Sequence, residues 1–451
     1  MLKYFWNREE ASLKTELLSG ITVALALVPS SIAFAMIAGF SPLIGLYSSF
    51  VMGVVAAIFG GRPGMITASA GAIAVIFVGL INELRTEYPA ITDGDILQYV
   101  FLTVILGGII QMLFGALRLG KYMRLVPTPV LFGFLNGLAV IIFTSQLSHF
   151  FDASTEELLP APELSILVIF TVVTMLIIWG LPKLTKAVPS SLVAVVVVSA
   201  VVIGFSVDTK TVGDTLQAGQ SIEGSFPPLT IPTIPDFWKG LWIVLPYAGI
   251  LAIVGLLESL LTLNVIDQKT NSRGNSNREC LGLGAANVAS GFFSGMGGCG
   301  VLGQSLLNIN NGARNRISAI LAATLILLFI LFGAKWVEIL PMAALIGLMF
   351  MVAIDTFEWA SLKIYKKMPT SDVVVMILVT LITIFTHNLA VAVLIGVLIS
   401  ALAFAWENAV KIRVRGRIDQ HGVKQYQVIG PLFFASVGSF EEKFDVENDP
   451  N

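Results

Sequence analysis

The sequence predicts an all-α polytopic membrane protein of fourteen transmembrane segments, arranged as two inverted sets of seven, and three observations predict it. The composition is the first: 56% of the 451 residues are hydrophobic and only 12% charged, with a mean hydropathy of +0.86, outside the range of soluble domains. The second is the recurrence of apolar stretches of about 17 to 25 residues, the length a helix needs to cross about 30 Å of hydrocarbon. The third is charge placement, because loops facing the cytoplasm are enriched in Lys and Arg. With the N-terminus inside, only Arg85, Lys210, Lys239 and Lys335 of the 27 basic residues fall outside. One missed helix would invert every later loop, so this bias supports the count of spans. It also predicts a multi-pass protein of the inner (plasma) membrane with both termini cytoplasmic.

The elements follow in order. The opening MLKYFWNREEASLKTELLSG carries charges of both signs and no small-residue cleavage site; it reads as an interfacial lead-in helix and not as a removed signal peptide. Apolar spans are predicted at 20–38 and 42–59, then a shorter, glycine-broken segment at 66–81, then spans at 98–117, 128–147, 164–181 and 188–206. The second set comprises 241–265, two short segments at 281–294 and 299–309, and spans at 317–334, 339–356, 372–386 and 389–408. Beyond Arg415, KQYQVIGPLFFASVGSFEEKF alternates polar and apolar residues like an amphipathic strand and runs into a helix start. A piece this short cannot bury its own core, so it is expected to be the beginning of a soluble cytoplasmic domain.

The two sets echo each other. Each has a helix with a polar site (Pro29-Ser30-Ser31, then Glu258 to Thr262), a glycine-broken segment (GRPGMITASAGAIA at 61, GMGGCGVLGQSLLN at 295) and a proline-opened helix (VPTPVLFGF at 126, LPMAALIGLMF at 340). Seven spans per set make the second set enter the membrane from the opposite side, the inverted repeat of secondary transporters. Unpaired backbone at membrane depth costs several kcal/mol per group unless it is buried in protein or lines a cavity. The two broken segments are therefore expected to end in half-helix N-termini that point at each other, each offering free amides and about half a positive charge to a small anion. Isolated glycines serve tight helix packing, but two broken segments at corresponding places favour a site.

Glu258 is an acid inside an apolar span, and Thr262, four residues on, shares its helical face. A carboxylate, a hydroxyl and nearby carbonyls resemble a Na⁺ site; a carboxylate alone equally carries a proton, or caps a broken helix. Ser30, Ser31 and Ser69 either line the site or bond their own backbone. Cys280 and Cys299 make no disulfide framework, and His149, His387 and His421 are scattered. There are no paired carboxylates, nucleophile elbow or phosphate-loop lysine. A dinucleotide loop at Gly295 to Gly303 is excluded, since no strand precedes it and no acidic ribose partner follows. No enzyme activity, cofactor or nucleic-acid partner is expected.

ITVALALVPSSIAFAMIAGFSPLIGLYSSF, FGGRPGMITASAGA, VPTPVLFGFLNGLA and VIGPLFFASVGSF together resemble the SulP (sulfate permease) family of anion transporters, from about Leu17 to the end of the chain. The resemblance implies a transmembrane domain over 1–415 and the start of a truncated STAS domain over 416–451. It further implies a core (spans 1–4 and 8–11) moving against a gate (spans 5–7 and 12–14) by elevator-type alternating access, a homodimer, and substrate held between the third and tenth spans. Carried onto this chain, it sets Ser69, Ala70 and Gly71 opposite Gly300, Val301 and Leu302, with the Ala70 and Val301 amides on the anion. Ser30, Ser31 and Gln304 complete the expected anion site; Glu258, Thr262, Ser69 and Gly300 form the expected cation site. GMGGCGVLGQSLLNINNGARNR is similar to the BicA-like bicarbonate-transporting branch, which couples to Na⁺. Three features bear on substrate and coupling. Gln304 stands where many sulfate and chloride relatives have a basic residue, and Ser30 and Ser31 stand where proton-coupled dicarboxylate relatives have an acid. Proton-coupled sulfate relatives share a Glu at the position of Glu258. The resulting expectation is Na⁺-dependent bicarbonate uptake, against H⁺-coupled sulfate or dicarboxylate symport, or an anion channel or sensor.

Overall fold

Helix starts follow the sequence's capping residues closely. In the computed structural model, which describes residues 12–121, 127–151, 157–185, 188–215, 223–386, 389–410, 413–418, 424–429 and 437–441, α1 (Leu13–Ile37) opens at Ser12, whose hydroxyl accepts from the Thr15 amide. Pro42 opens α2 (Pro42–Phe59), where a missing N–H costs nothing. An extended link with the strand β1 (Thr67–Ala68) leads into α3 (Gly71–Glu87). A reciprocal capping box between Thr92 and Asp95 starts α4 (Asp93–Ala116). The first set closes with α5 (Thr128–Leu147), α6 (Ala161–Leu184) and α7 (Ser190–Gly204).

The second set repeats this plan. The long α8 (Phe237–Thr270) begins at an Asp236 cap and ends where Asn271 turns left-handed at φ 49°. Next come α9 (Ser276–Phe292), β2 (Cys299–Gly300), α10 (Leu302–Asn310), α11 (Ile317–Glu338) and α12 (Met342–Thr356). A short α13 (Trp359–Ile364) precedes α14 (Thr370–Thr386) and α15 (Leu389–Val410). Apart from α13, the helices up to α15 number seven and seven, as the sequence predicts. Among the described residues, eight are long and apolar enough to cross a membrane. At 9 residues and about 1.5 Å per residue, α10 reaches less than halfway across. The segment predicted from 281 begins five residues earlier, because the Asn275 side chain accepts from the Arg278 amide and caps α9 there.

Packing interleaves the two sets. α9 lies against α4 and α2, α8 against α4, and α11 against both α1 and α2; separately, α5 packs on α14 and α12, and α6 on α12. The α4–α9 crossing depends on paired glycines. A Cβ on Gly108 would sit 2.6 Å from the Gly284 carbonyl oxygen, and one on Gly284 would sit 2.5 Å from that of Gly108, so only small residues let these backbones meet. Toward the C-terminus, β3 (Arg413–Ile418) pairs antiparallel with β4 (Lys424–Ile429), followed by α16 (Val437–Glu441). The strand and helix start predicted there fall on β4 and α16. The expected lead-in helix before residue 12, the strand's continuation over 430–436, and His387 and His421 lie outside the described residues.

Candidate functional site

The two glycine-broken segments meet as a miniature antiparallel sheet. Thr67 lies opposite Gly300 and Ala68 opposite Cys299, joining β1 of the first set to β2 of the second. Each strand feeds directly into a helix: Ala70 is the residue before α3, and Val301 the residue before α10. Because the strands run in opposite directions, the helices leave in opposite directions and their positive ends converge on the ladder. The first internal bonds are Ala74 N to Ala70 O and Ser305 N to Val301 O, each 3.0 Å. The N–H groups of residues 71–73 and 302–304 therefore lie ahead of any intrahelical partner.

One expectation changes here. The Val301 N–H extends the ladder by donating to the Ile66 carbonyl at 2.9 Å, so it is not offered to a ligand. The open amides at that end belong to Leu302, Gly303 and Gln304, and the first two of these residues are exposed. On the opposite side, Ala70 and Gly71 are buried at the start of α3.

The glycine run brings backbone against backbone. Gly297 has φ +69°, and a Cβ on Gly298 would fall 2.0 Å from the Ala68 carbonyl oxygen. Asn287 of α9 grips this run from behind: its Oδ1 accepts from the Gly298 amide at 3.0 Å, and its Nδ2 donates to the Gly298 carbonyl at 3.2 Å and to Gln111 Oε1 at 2.9 Å. Ser290 Oγ accepts from the Gly297 amide at 3.2 Å. Gln111, Asn287 and Ser290 are buried and escaped the sequence reading. The available signal was an amide side chain inside an otherwise small or apolar stretch of each helix, Gln111 in VILGGIIQMLFGA and Asn287 in LGLGAANVASGF.

α8 seals the other face of β2. Ser259 Oγ accepts from the Gly300 amide at 2.8 Å, and Thr262 Oγ1 donates to the Gly300 carbonyl at 3.1 Å. Cys299 Sγ donates to Glu258 Oε2 at 2.6 Å. Glu258, Thr262 and Gly300 are thus brought together, with Glu258 half-buried and Thr262 buried. Across the ladder, Ser69 reaches Ser31 through Ser49, which lies 2.9 Å from the Ser69 hydroxyl and 2.6 Å from that of Ser31. Ser30 does not join this chain; its hydroxyl donates to the Ala26 and Leu27 carbonyls of its own helix. Gln304 is half-buried in the first turn of α10. Chemically, two convergent helix N-termini suit an anion, and a carboxylate and a hydroxyl four residues apart on α8, with the Gly300 carbonyl of β2 beside them, suit a hard cation.

The sequence matches the model of the sulfate permease family over residues 13–379. A Bacillus subtilis protein, YbaR, assigned by name to sulfate transport, is 39% identical over 97% of this chain and 86% of its own. The bicarbonate transporter BicA of Picosynechococcus is 31% identical over 86% of this chain and 69% of its own. Among solved structures, the transmembrane domain of a cyanobacterial BicA superposes with a TM-score of 0.72 at 29% identity, over 86% of this chain and 97% of that one. Murine Slc26a9 in its inward-facing state shares the fold with a TM-score of 0.82 at 20% identity, over 100% of this chain and 81% of that one. With seven and seven helices, two helix N-termini meeting at a ladder and a family match spanning most of its length, the chain belongs to the sulfate permease (SulP) family of multi-pass membrane anion transporters.

Proposed function

We propose that this anion transporter is a Na⁺-coupled importer of bicarbonate. The observation that carries the reading is the pairing of two unlike sites at one ladder: helix N-termini for an anion, and Glu258, Thr262 and the Gly300 carbonyl for a cation. No Lys or Arg occurs within 65–77, 251–263 or 299–308. A divalent anion would meet no fixed positive side chain here, whereas a monovalent anion accompanied by Na⁺ brings its own balance. In this reading Ser69, Ala70, Gly71, Leu302 and Gln304 surround the anion, and Ser31 supports Ser69 through Ser49. α1–α4 with α8–α11 form a core that carries both ions past a gate of α5–α7, α12, α14 and α15. The protein works as a homodimer in the plasma membrane with both termini inside.

The test is uptake of labelled bicarbonate and sulfate into proteoliposomes, with Na⁺ and pH gradients varied separately. Bicarbonate accumulation driven by Na⁺ alone is expected; Glu258→Gln, which keeps volume but loses charge, should abolish it. Unchanged gradient-driven uptake in that variant would return Glu258 to a structural role. The rival reading, H⁺-coupled sulfate uptake, draws support from the likeness to YbaR and from the capacity of a lone carboxylate to carry a proton. Sulfate accumulation driven by a pH gradient without Na⁺ would establish it.

A further inference from the structure

One turn of α8 grips β2 through three side chains, and they differ in what they depend on. Ser259 and Thr262 bond the N–H and C=O of Gly300, backbone groups that do not depend on a side chain at 300. The Glu258 contact is different, because its donor is the Cys299 side chain. Cys299 is fully buried, and its backbone is fixed twice, by pairing with Ala68 and by the Gly298 bonds to Asn287. The thiol is therefore presented to Glu258 from a rigid strand.

Among the described residues, Glu258 Oε2 is held by this thiol, and no hydrogen bond reaches Oε1. A glutamate side chain has three free torsions, and fixing them costs conformational entropy. A basic donor would fix them too, but it would cancel the charge a cation needs. A thiol is a weak, neutral donor: it orients the carboxylate and leaves its charge intact.

We propose that Cys299 is a positioning residue for the coupling carboxylate. It holds Oε2 so that Oε1 is oriented in advance for the transported cation. The proposal rests on the reading of Glu258 as the coupling group, and its test separates the two.

Full-length protein in proteoliposomes is compared with Cys299→Ala, which removes the donor, and Cys299→Ser, which keeps one. Cys299→Ala should raise the half-saturating Na⁺ concentration about tenfold, the scale of one hydrogen bond to a charged group. The bicarbonate KM at saturating Na⁺ and the maximal rate should stay within about twofold, and Cys299→Ser should restore wild-type Na⁺ dependence. In a Glu258→Gln background, Cys299→Ala should add no change to the Na⁺-dependent rise in unfolding temperature that reports binding.

A merely structural role predicts something else. Both variants would lower stability and maximal rate with Na⁺ half-saturation unmoved, and that result overturns the proposal. Where wild-type uptake follows the proton gradient and ignores Na⁺, the Na⁺ reading fails by itself. Cys299 as a positioning residue then predicts that Cys299→Ala lowers the accumulation ratio under a proton gradient and Cys299→Ser restores it; an unchanged ratio in Cys299→Ala overturns it there as well.

Discussion

At Gly298 a single methyl group decides whether the two halves of the molecule can join. Real Cβ atoms do not approach within 3.0 Å of other heavy atoms, and here the neighbour at 2.0 Å is the Ala68 carbonyl, part of a backbone that cannot rotate away. Gly298→Ala should therefore push β1 from β2, costing about 1 to 3 kcal/mol and lowering uptake at least about tenfold. Gly249→Ala is the control: nothing lies within 4 Å of its Cβ, so it should be neutral or stabilising by up to about 1 kcal/mol. Thermal unfolding and uptake of both variants check this, and an active, stable Gly298→Ala would remove the ladder from the mechanism. The run's importance was legible in the sequence, but its reason was only half so. Glycine was expected to admit a ligand, whereas its tightest approach is to a strand about 230 residues away in sequence, a contact that no local pattern encodes. The same limit governs Ser30 and Ser31. Adjacent helical residues point about 100° apart, so the two do not face the same neighbour, and the pattern does not say which one faces the ladder.

Individual elements show how far charge statistics mislead about the buried ends of helices. Glu16 on α1 is fully buried and reads in sequence as one charge of a mixed N-terminal segment. In the fold its Oε1 accepts from the Arg314 amide at 2.7 Å and the Asn315 amide at 2.9 Å, and its Oε2 from the Ser318 amide at 3.1 Å. A carboxylate there caps the N-terminus of α11 with the favourable sign of the helix dipole. Arg316, counted in sequence among the basic residues of the cytoplasmic side, is likewise buried and donates to the carbonyls of Ala57 at 2.7 Å and Gly60 at 2.8 Å at the end of α2. Each of these side chains ties α11 to a helix of the other set. Glu16→Ala leaves three amides, two of them buried, without an acceptor, so unfolding in detergent should show a loss of about 2 to 4 kcal/mol; Glu16→Gln, which keeps one acceptor, should lose less. Equal stability of both variants with wild type would show that water replaces the carboxylate. The existence and kind of the helices were legible because apolar length is a local property. The cap on α11 was not, because its acceptor comes from α1.

Across the whole molecule, the proposed anion site draws on both sets of seven helices: the first contributes β1 and the start of α3 and the second β2 and α10, while the polar turn of α8 beside them supplies the proposed cation site. Inverted symmetry was legible because it leaves a mark in sequence, two broken segments at matching places. The proposed cation and anion sites share the segment from Gly300 to Leu302, and that adjacency has an energetic consequence. Without a lysine or arginine in the flanking stretches, Na⁺ at Glu258 and Thr262 would be the nearest full positive charge to the anion. Two opposite charges a few ångströms apart in a poorly screened site attract strongly, and linkage requires each ion to tighten the other by the same factor. A coupling of about 1 to 3 kcal/mol, roughly 5- to 150-fold in affinity, is the usual range and is large enough to titrate. Bicarbonate affinity should fall by such a factor when a large organic cation replaces Na⁺ at fixed pH, and Na⁺ affinity should fall equally when bicarbonate is withdrawn. Thr262→Val, which loses the hydroxyl beside the Gly300 carbonyl, should weaken the Na⁺ dependence more than it weakens bicarbonate binding at saturating Na⁺. Anion affinity that ignores Na⁺ but climbs as pH falls through one titration would make Glu258 the carrier of a proton, and the H⁺-coupled reading would then stand in place of the Na⁺ one.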